Sequence, residues 1–392
     1  MIEANAAETV VACLTPPGIG AIATVAFRGP DAWTIARGLF HPASQKQPNL
    51  PEQAEPGQFW FGRWGDGLAD EAILTLRQRN PVPWLELHVH GGREVIRWLL
   101  ETLAARGVRT CNWQEFYRAT ENDPVRAAAW IALAEAPTAR TAAILLDQYH
   151  RAFGRAIAAI DDALSRNELE EAKFCLAELT RHSFLGRHLT TPWKIVIAGA
   201  PNVGKSSLLN AIAGFQRCIV SETPGTTRDV VWTRLAIDGW PVEIADTAGL
   251  RAAAEALEGE GVVRARKATQ DSDLRLWILD GAAEPVWPDA GLGDCKLVVN
   301  KTDLAAAWDW RRAEGALRVS ALTGDGIPEL CDAISLWLVP NPPAAGDAVP
   351  FTPVLCDWLG QCHTYLINGR LKEARDLLRI MTERCDGEVV QG

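Results

Sequence analysis

No stretch of this chain stays apolar for long enough to cross a membrane, so an embedded helical protein is not expected. The N-terminus has no basic segment ahead of an apolar core. Val10-Val-Ala-Cys-Leu14 is too short for one, and a secretory leader is not expected either. Paired cysteine spacing is missing too: of nine Cys, Cys356 and Cys362 lie closest together, and no His-rich partner motif completes a zinc site. Such an odd count beside the nucleotide motif below points to a reducing cytoplasm. Positive charge is in deficit, with 39 Lys and Arg against 49 Asp and Glu. The balance of −10 argues against non-specific wrapping of nucleic acid. The Arg-containing stretch from Arg181 to Arg187 is the source of any local basic face, and a solvated surface is its simpler reading. Internal repeats and low-complexity tracts are absent as well. What remains is 48% apolar and 22% charged, an ordinary globular composition. At 392 residues it exceeds one small core, so two or three domains are expected. Sixteen Trp is a high count, read as core and interface filler.

The run from Gly199 through Asn202, Val203, Gly204, Lys205, Ser206 and Ser207 fits G-x-x-x-x-G-K-[ST], the phosphate-binding loop. An apolar strand-like run, Lys194-Ile-Val-Ile-Ala198, precedes it, and a helical run, Leu208-Leu-Asn-Ala-Ile-Ala213, follows. The motif needs that context, because backbone N–H groups and a helix N-terminus then converge on one anion. Lys205 would reach the β- and γ-phosphates and Ser206 would hold Mg²⁺ through its hydroxyl.

Four further pieces follow in the order a GTPase requires. Gly225-Thr226-Thr227-Arg228-Asp229 stands where a switch segment would bring a Thr to Mg²⁺; Thr227 is the reading, with Thr226 its rival. Asp246-Thr-Ala-Gly249 ends an apolar strand; Asp246 can orient a metal-bound water and the Gly249 N–H can touch the γ-phosphate. Asn300-Lys301-Thr302-Asp303 ends another. The Asp303 carboxylate can accept two hydrogens from the Watson–Crick edge of guanine, a pair adenine lacks, and the Lys301 stem can cover the base face. Ser320-Ala321-Leu322 can offer a backbone N–H to the guanine oxygen. Each motif is weak alone; five in order, each at a strand end, make a GTP site.

Residues 1–112 read as an α+β domain, with strands over 21–27 and 84–90, helices over 32–40 and 93–106, and turns at 15–20 and 80–83. Residues 113–192 are rich in Ala, Leu and Glu and read as two or three helices, one starting at Asp123-Pro124. The nucleotide domain should run over 193–338, a mixed sheet of about six strands with helices on both faces. Asp238-Gly239 marks a hairpin within it. Residues 339–392 read as a Pro-rich linker followed by helix.

At this point the chain resembles the MnmE (TrmE) GTPases of tRNA wobble-uridine modification. Ala12-Cys-Leu-Thr-Pro-Pro-Gly-Ile-Gly20 is similar to the family's A-x-A-T-P-P-G stretch, and Glu86-Leu-His-Val-His-Gly-Gly92 to its E-I-H-C-H-G-G. The Pro-Gly-Thr-Thr-Arg-Asp run at 224–229 is shared with close relatives. The resemblance implies a multi-domain α/β protein: a folate-binding-like N-terminal dimerisation domain, and a G domain inserted into an α-helical domain. It also implies a homodimer, a one-carbon tetrahydrofolate, a flavoprotein partner (MnmG) and tRNA.

Ras-like enzymes orient water with a Gln after Asp-x-x-Gly and borrow an arginine finger. Here that position is Leu250, which cannot orient water. The resemblance implies a Glu on the second switch acting through a bridging water. Counting along the matching stretch lands on Glu258, with Glu255 and Glu260 as close rivals. It further implies a potassium ion in place of the finger, held by the Asn202 side chain and by backbone carbonyls near Ser221 and Thr223, with the G domains facing each other. A residue that merely shapes the loop is the plainer reading of Asn202.

Two departures stand out. The family ends in C-x-G-K, whose Cys is tied to the modification; this chain has Cys385-Asp-Gly-Glu388 and four residues more. The Lys-to-Glu change reverses charge where an anionic cofactor or tRNA is expected. At Asn80-Pro-Val-Pro-Trp84 the polar residues of the family's P-N-S-Y-T-G-E-D are missing, beside the expected folate pocket. Three readings therefore compete: a tRNA-modifying GTPase, a divergent regulatory or assembly GTPase that has lost the modification, and a nucleotide-binding module without turnover. His88 and His90 share a strand face and read as structural.

Overall fold

The computed structural model describes residues 8–18, 20–46, 49–215, 232–246, 272–288 and 293–383. They form two compact units, Met1–Ala127 and Ala128–Gly392.

The first unit is a seven-stranded sheet in the order β3-β4-β5-β6-β2-β1-β7. Its strands are β1 (Val10–Cys13), β2 (Ile22–Arg28), β3 (Phe40–Pro42), β4 (Phe59–Trp64), β5 (Asp70–Gln78), β6 (Trp84–His90) and β7 (Arg109–Thr110). All neighbours pair antiparallel except β1 with β7. Period-two alternation gives β6 one apolar face. Leu85, Leu87 and Val89 are buried with Ala72, Leu74 and Leu76 of β5 under α1 (Ala32–Leu39) and α2 (Arg93–Ala104). Each Leu so buried contributes about 1.5–3 kcal/mol relative to an exposed one. A smaller cluster of Val10, Ala12, Ala26 and Phe116 joins the sheet to α3 (Trp113–Thr120). The two stretches that resemble the family's N-terminal motifs meet here. Gly91 N–H donates to the Ala21 carbonyl at 3.0 Å, and a Cβ on Gly91 would lie 2.1 Å from the Gly20 oxygen. No larger residue fits there.

Between 113 and 190 the structure has six helices rather than two or three. After α3 come α4 (Pro124–Ala134), α5 (Ala139–Tyr149), α6 (Ala152–Ser165), α7 (Leu169–Thr180) and the single turn α8 (Ser183–Gly186). The breaks have local causes. Pro137 precedes Thr138, whose side chain forms a capping box with Thr141. Arg151 and Asn167 sit at φ 70° and 63°, left-handed positions that stop a helix. Helix α4 starts at Asp123-Pro124, with Arg126 N–H donating to Asp123 Oδ1 at 3.2 Å.

The second sheet is six-stranded, in the order β13-β12-β11-β8-β10-β9. It comprises β8 (Trp193–Gly199), β9 (Thr233–Ile237), β10 (Trp240–Asp246), β11 (Leu274–Asp280), β12 (Lys296–Asn300) and β13 (Leu317–Arg318). All pairs are parallel except β9 with β10, joined by Asp238 and Gly239 at φ 49° and 76°. Helix α9 (Lys205–Phe215) packs on β8 and β10, and α10 (Ile327–Leu338) on α9 and β9. Elsewhere on the sheet, Leu279 and Val299 are covered by Trp308 and Ala313, with Trp277, Trp287 and Trp310 around them. The tryptophans thus serve largely as filler; Trp64, Trp193 and Trp240 are fully buried as well.

Helices α11 (Pro353–Ile367) and α12 (Leu371–Glu383) follow the nucleotide segment yet pack on helices that precede it, α11 on α7 and α8, α12 on α6. Residues 340–352 have neither helix nor strand but are tightly held. Gln148 Nε2 donates to the Asp347 carbonyl at 3.0 Å, its Oε1 accepts from Val349 N–H at 3.2 Å, and Phe351 meets Phe153 edge-on at 5.6 Å. The helical layer is also tied to the β9–β10 turn. Thr138 Oγ1 donates to the Gly239 carbonyl at 2.7 Å, Arg140 Nη1 to Asp238 Oδ2 at 2.5 Å, and the Arg140 guanidinium lies 4.2 Å from the Trp240 ring centre.

Candidate nucleotide site

The loop between β8 and α9 has the curvature its glycines allow. Gly204 sits at φ 94°, and a Cβ there would lie 2.3 Å from Asn300 Nδ2. Asn202, exposed at the tip, holds φ 62° without being glycine. Lys205 is buried at 7% exposure, its Nζ donating to the Ala200 carbonyl at 2.9 Å and the Gly199 carbonyl at 3.2 Å. Its charge is therefore held inside the loop that α9 follows. Ser206 Oγ donates to Asp246 Oδ2 at 2.5 Å across the β8–β10 edge. A hydroxyl backed by a carboxylate is a donor set of hard oxygens, which suits Mg²⁺. Ser207 is exposed at the start of the helix.

A second group lies beside it. Asn300 is 1% exposed; its Nδ2 donates to the Val203 carbonyl at 2.9 Å and its Oδ1 accepts from Ala321 N–H at 3.0 Å. It clips the phosphate loop to the 320–322 turn. Lys301 Nζ donates to the Asn202 carbonyl at 2.8 Å. Asp303 Oδ1 accepts from Ser320 Oγ at 2.6 Å, and Ser320 Oγ in turn accepts from Thr323 N–H at 3.1 Å. The N–H groups of Ser320 and Ala321 are both engaged inside the protein, by the Asp325 carbonyl and by Asn300. They shape the turn. Leu322, 85% exposed, follows them at its tip.

The structure thus brings together Asn202, Val203, Gly204, Lys205, Ser206, Asp246, Asn300, Lys301, Asp303, Ser320 and Ala321. Ser221, Thr223, Thr227, Gly249, Glu258 and Cys385 lie outside the described residues. His88 and His90 make separate contacts, His88 Nδ1 with Thr24 Oγ1 at 3.0 Å and His90 Nδ1 with Asp70 Oδ2 at 2.9 Å. Hydrogen bonding to Asp70 raises the His90 imidazole above its ordinary range. No cluster of three or more His, Cys, Asp or Glu able to hold a metal occurs among the described residues. One neighbour of the site escapes the motif reading: Asp280, at the end of β11, whose Oδ2 accepts from Lys301 Nζ at 2.5 Å. An acid closing a buried strand just before Gly281, as Asp246 closes β10, is the signal that marks it.

A mainly parallel sheet with a glycine loop leading from β8 into a helix, and with Asn-Lys-x-Asp ending β12 at the same edge, defines a P-loop GTPase, a GTP-hydrolysing enzyme. Residues 194–302 match the family described as 50S ribosome-binding GTPase, and residues 9–123 match the GTP-binding protein TrmE N-terminus. The tRNA modification GTPase MnmE of Alkalilimnicola ehrlichii is 36% identical over 367 residues, covering 83% of this chain and 81% of that protein. The same enzyme of a Thermus thermophilus strain is 31% identical over 365 residues, covering 84% and 82%. The chain belongs to the MnmE family. Among solved structures, the G domain of the T. maritima FeoB iron transporter matches 37% of this chain and 98% of its own at 23% identity, with a TM-score of 0.28. No helix among the described residues is long and apolar enough to cross a membrane.

Proposed function

We propose that this chain hydrolyses GTP by an MnmE-type mechanism in tRNA wobble-uridine modification. Its parts are a G domain over 193–338, a helical domain over 113–192 and 339–392, and an N-terminal domain over 1–112. The observation that carries the reading is the joined set of Lys205, the Ser206–Asp246 pair and the Asn300 clip, which holds the phosphate and base sides of one site in register.

In this reading the N–H groups of the loop from Asn202 to Ser207 cradle the phosphates and Lys205 reaches the β- and γ-oxygens. Ser206 and Thr227 hold Mg²⁺, with Asp246 behind them, and Gly249 N–H meets the γ-phosphate. Asp303 selects guanine, the Lys301 stem covers its face, and the turn of Ser320 and Ala321 presents the Leu322 N–H to its oxygen. Glu258 orients the attacking water. Asn202, with the carbonyls of Ser221 and Thr223, holds a potassium ion. The bound cations supply positive charge to the transferring phosphoryl group, as an arginine finger does elsewhere.

The potassium loop is completed by pairing of two G domains within a homodimer. An exposed apolar patch on the first sheet supports self-association: Phe59 and Phe61 of β4, with Ile73 of β5 directly opposite Phe61. The modification itself would use tRNA, a flavoprotein of the MnmG type, Cys385 and a one-carbon tetrahydrofolate, which supplies the carbon unit. A second reading, a regulatory or assembly GTPase without the modification step, is favoured by Glu388 in place of the terminal Lys and by the apolar 80–84 loop.

The test is GTP turnover in potassium against sodium buffer, for the wild type, Asn202→Ala and Glu258→Ala. Potassium-stimulated turnover that both variants lose supports the mechanism. Turnover indifferent to the cation that survives the Glu258 change refutes it.

A further inference from the structure

Lys301 is a long, flexible side chain, and ordering it costs rotamer entropy. Something must hold its stem where a base would stack. Its backbone fixes the starting direction at φ 64°. Its ammonium is fixed at two points, the Asn202 carbonyl at 2.8 Å and the Asp280 carboxylate at 2.5 Å. Asp280 is itself carried on a rigid support. Its Oδ1 accepts from Ala282 N–H at 2.9 Å, and its backbone carbonyl accepts from Trp308 Nε1 at 2.7 Å. The next carbonyl, Gly281, accepts from Trp310 Nε1 at 3.1 Å and Ala307 N–H at 3.1 Å, while Gly281 N–H donates to the Asn300 carbonyl at 2.8 Å. The Asp280 side chain is 13% exposed, so its pairing with Lys301 is shielded from most of the screening that makes surface pairs weak.

We propose that Asp280 is a positioning residue for nucleotide binding: it holds Lys301 over the guanine face and, through Lys301, steadies the Asn202 backbone of the phosphate loop. Asp280 touches neither base nor phosphate. It turns Lys301 from a mobile cation into a fixed wall, and it links the base side of the site to the loop residue assigned to potassium. The inference rests on the proposed role of Lys301 in covering the base.

The test is the dissociation rate of fluorescent mant-GDP from the full chain, in a double-mutant cycle. Asp280→Ala is expected to speed dissociation about tenfold, the scale of one charge-assisted hydrogen bond. In a Lys301→Ala background the same change is expected to do less than about twofold, because the two residues act as one. Asp280→Asn keeps the size and the acceptor for Ala282 N–H but turns its NH2 toward the Lys301 ammonium, so two donors face each other; it is expected to release mant-GDP at least as fast as the Ala variant, with little change in urea unfolding. That separates positioning from loss of structure. If Lys301→Ala speeds dissociation and Asp280→Ala adds its full factor on top, the proposal is overturned while the role of Lys301 stands. If Lys301→Ala changes nothing, both fall.

Discussion

Asn300→Ala should loosen the site more than the small size of the change suggests. The side chain is 1% exposed and makes two hydrogen bonds, to the Val203 carbonyl at 2.9 Å and from Ala321 N–H at 3.0 Å. Truncation leaves a buried carbonyl and an N–H unpaired, each costing about 1–3 kcal/mol. Some relaxation and water entry lower the sum, so about 2–4 kcal/mol is expected for local opening of β12 and the phosphate loop. At about 1.4 kcal/mol per decade that is about 30- to 1,000-fold faster amide exchange in peptides covering β8 and β12, measured by mass spectrometry on the nucleotide-free chain. Asn300→Asp sharpens the test. It keeps the acceptor for Ala321 but turns an oxygen toward the Val203 carbonyl, so two acceptors face each other. It should be at least as damaging as Ala despite its closer shape. Exchange changed by less than about threefold in the Ala variant, or an Asp variant close to wild type, would refute the clip.

Gly204→Ala combines a φ of 94° with a Cβ 2.3 Å from Asn300 Nδ2, so GDP affinity should fall by more than about tenfold in an equilibrium titration. The Arg140–Asp238 tie should show coupling of about 0.5–1 kcal/mol in an Arg140→Ala, Asp238→Asn cycle followed by urea unfolding, weakening in salt; the pair is partly exposed, which limits it. Burial pulls the His188 imidazole, stacked on Trp193, below its ordinary range, with the Asp273 carboxylate opposing it. A His whose folded pKa is lowered binds protons more readily when unfolded. Stability is therefore full above about pH 6.5 and is lost as pH falls from there toward the folded value. His188→Phe should flatten the fall in urea midpoint between pH 7.5 and 5.5, and a slope unchanged in that variant would remove His188 as its source.

The sequence made much of this architecture readable because its signals are local. Alternation marks β6, Asp238-Gly239 marks the β9–β10 turn, and a strand, a glycine loop and a helix stand in unbroken order around Lys205. The helix count between 113 and 190 was not readable. Arg151 and Asn167 break that stretch from left-handed conformations with no glycine to announce them, inside a composition that favours helix throughout. The tie of Gln148 to Asp347 and Val349 joins residues some 200 positions apart, and neither partner belongs to a pattern.

Asp280 and Lys301 show why the site is richer than its motifs. They are 21 positions apart, and no periodicity connects them. Parallel pairing sets Asp280 opposite Asn300, as it sets Ile278 opposite Gly199 and Asp246 opposite Ile197. In a parallel sheet every strand delivers its last residue to the same edge, so a polar residue closing any of these strands falls at the edge that carries the phosphate loop, whether or not it belongs to a named motif. Motif reading finds residues that meet the ligand, because those are constrained in spacing within one loop. Residues that hold the first set in place come from the neighbouring strand, where only the register relates them. Asp280 belongs to that second set, and a carboxylate ending β11 at the edge where β10 also ends in one gains its role from the sheet itself.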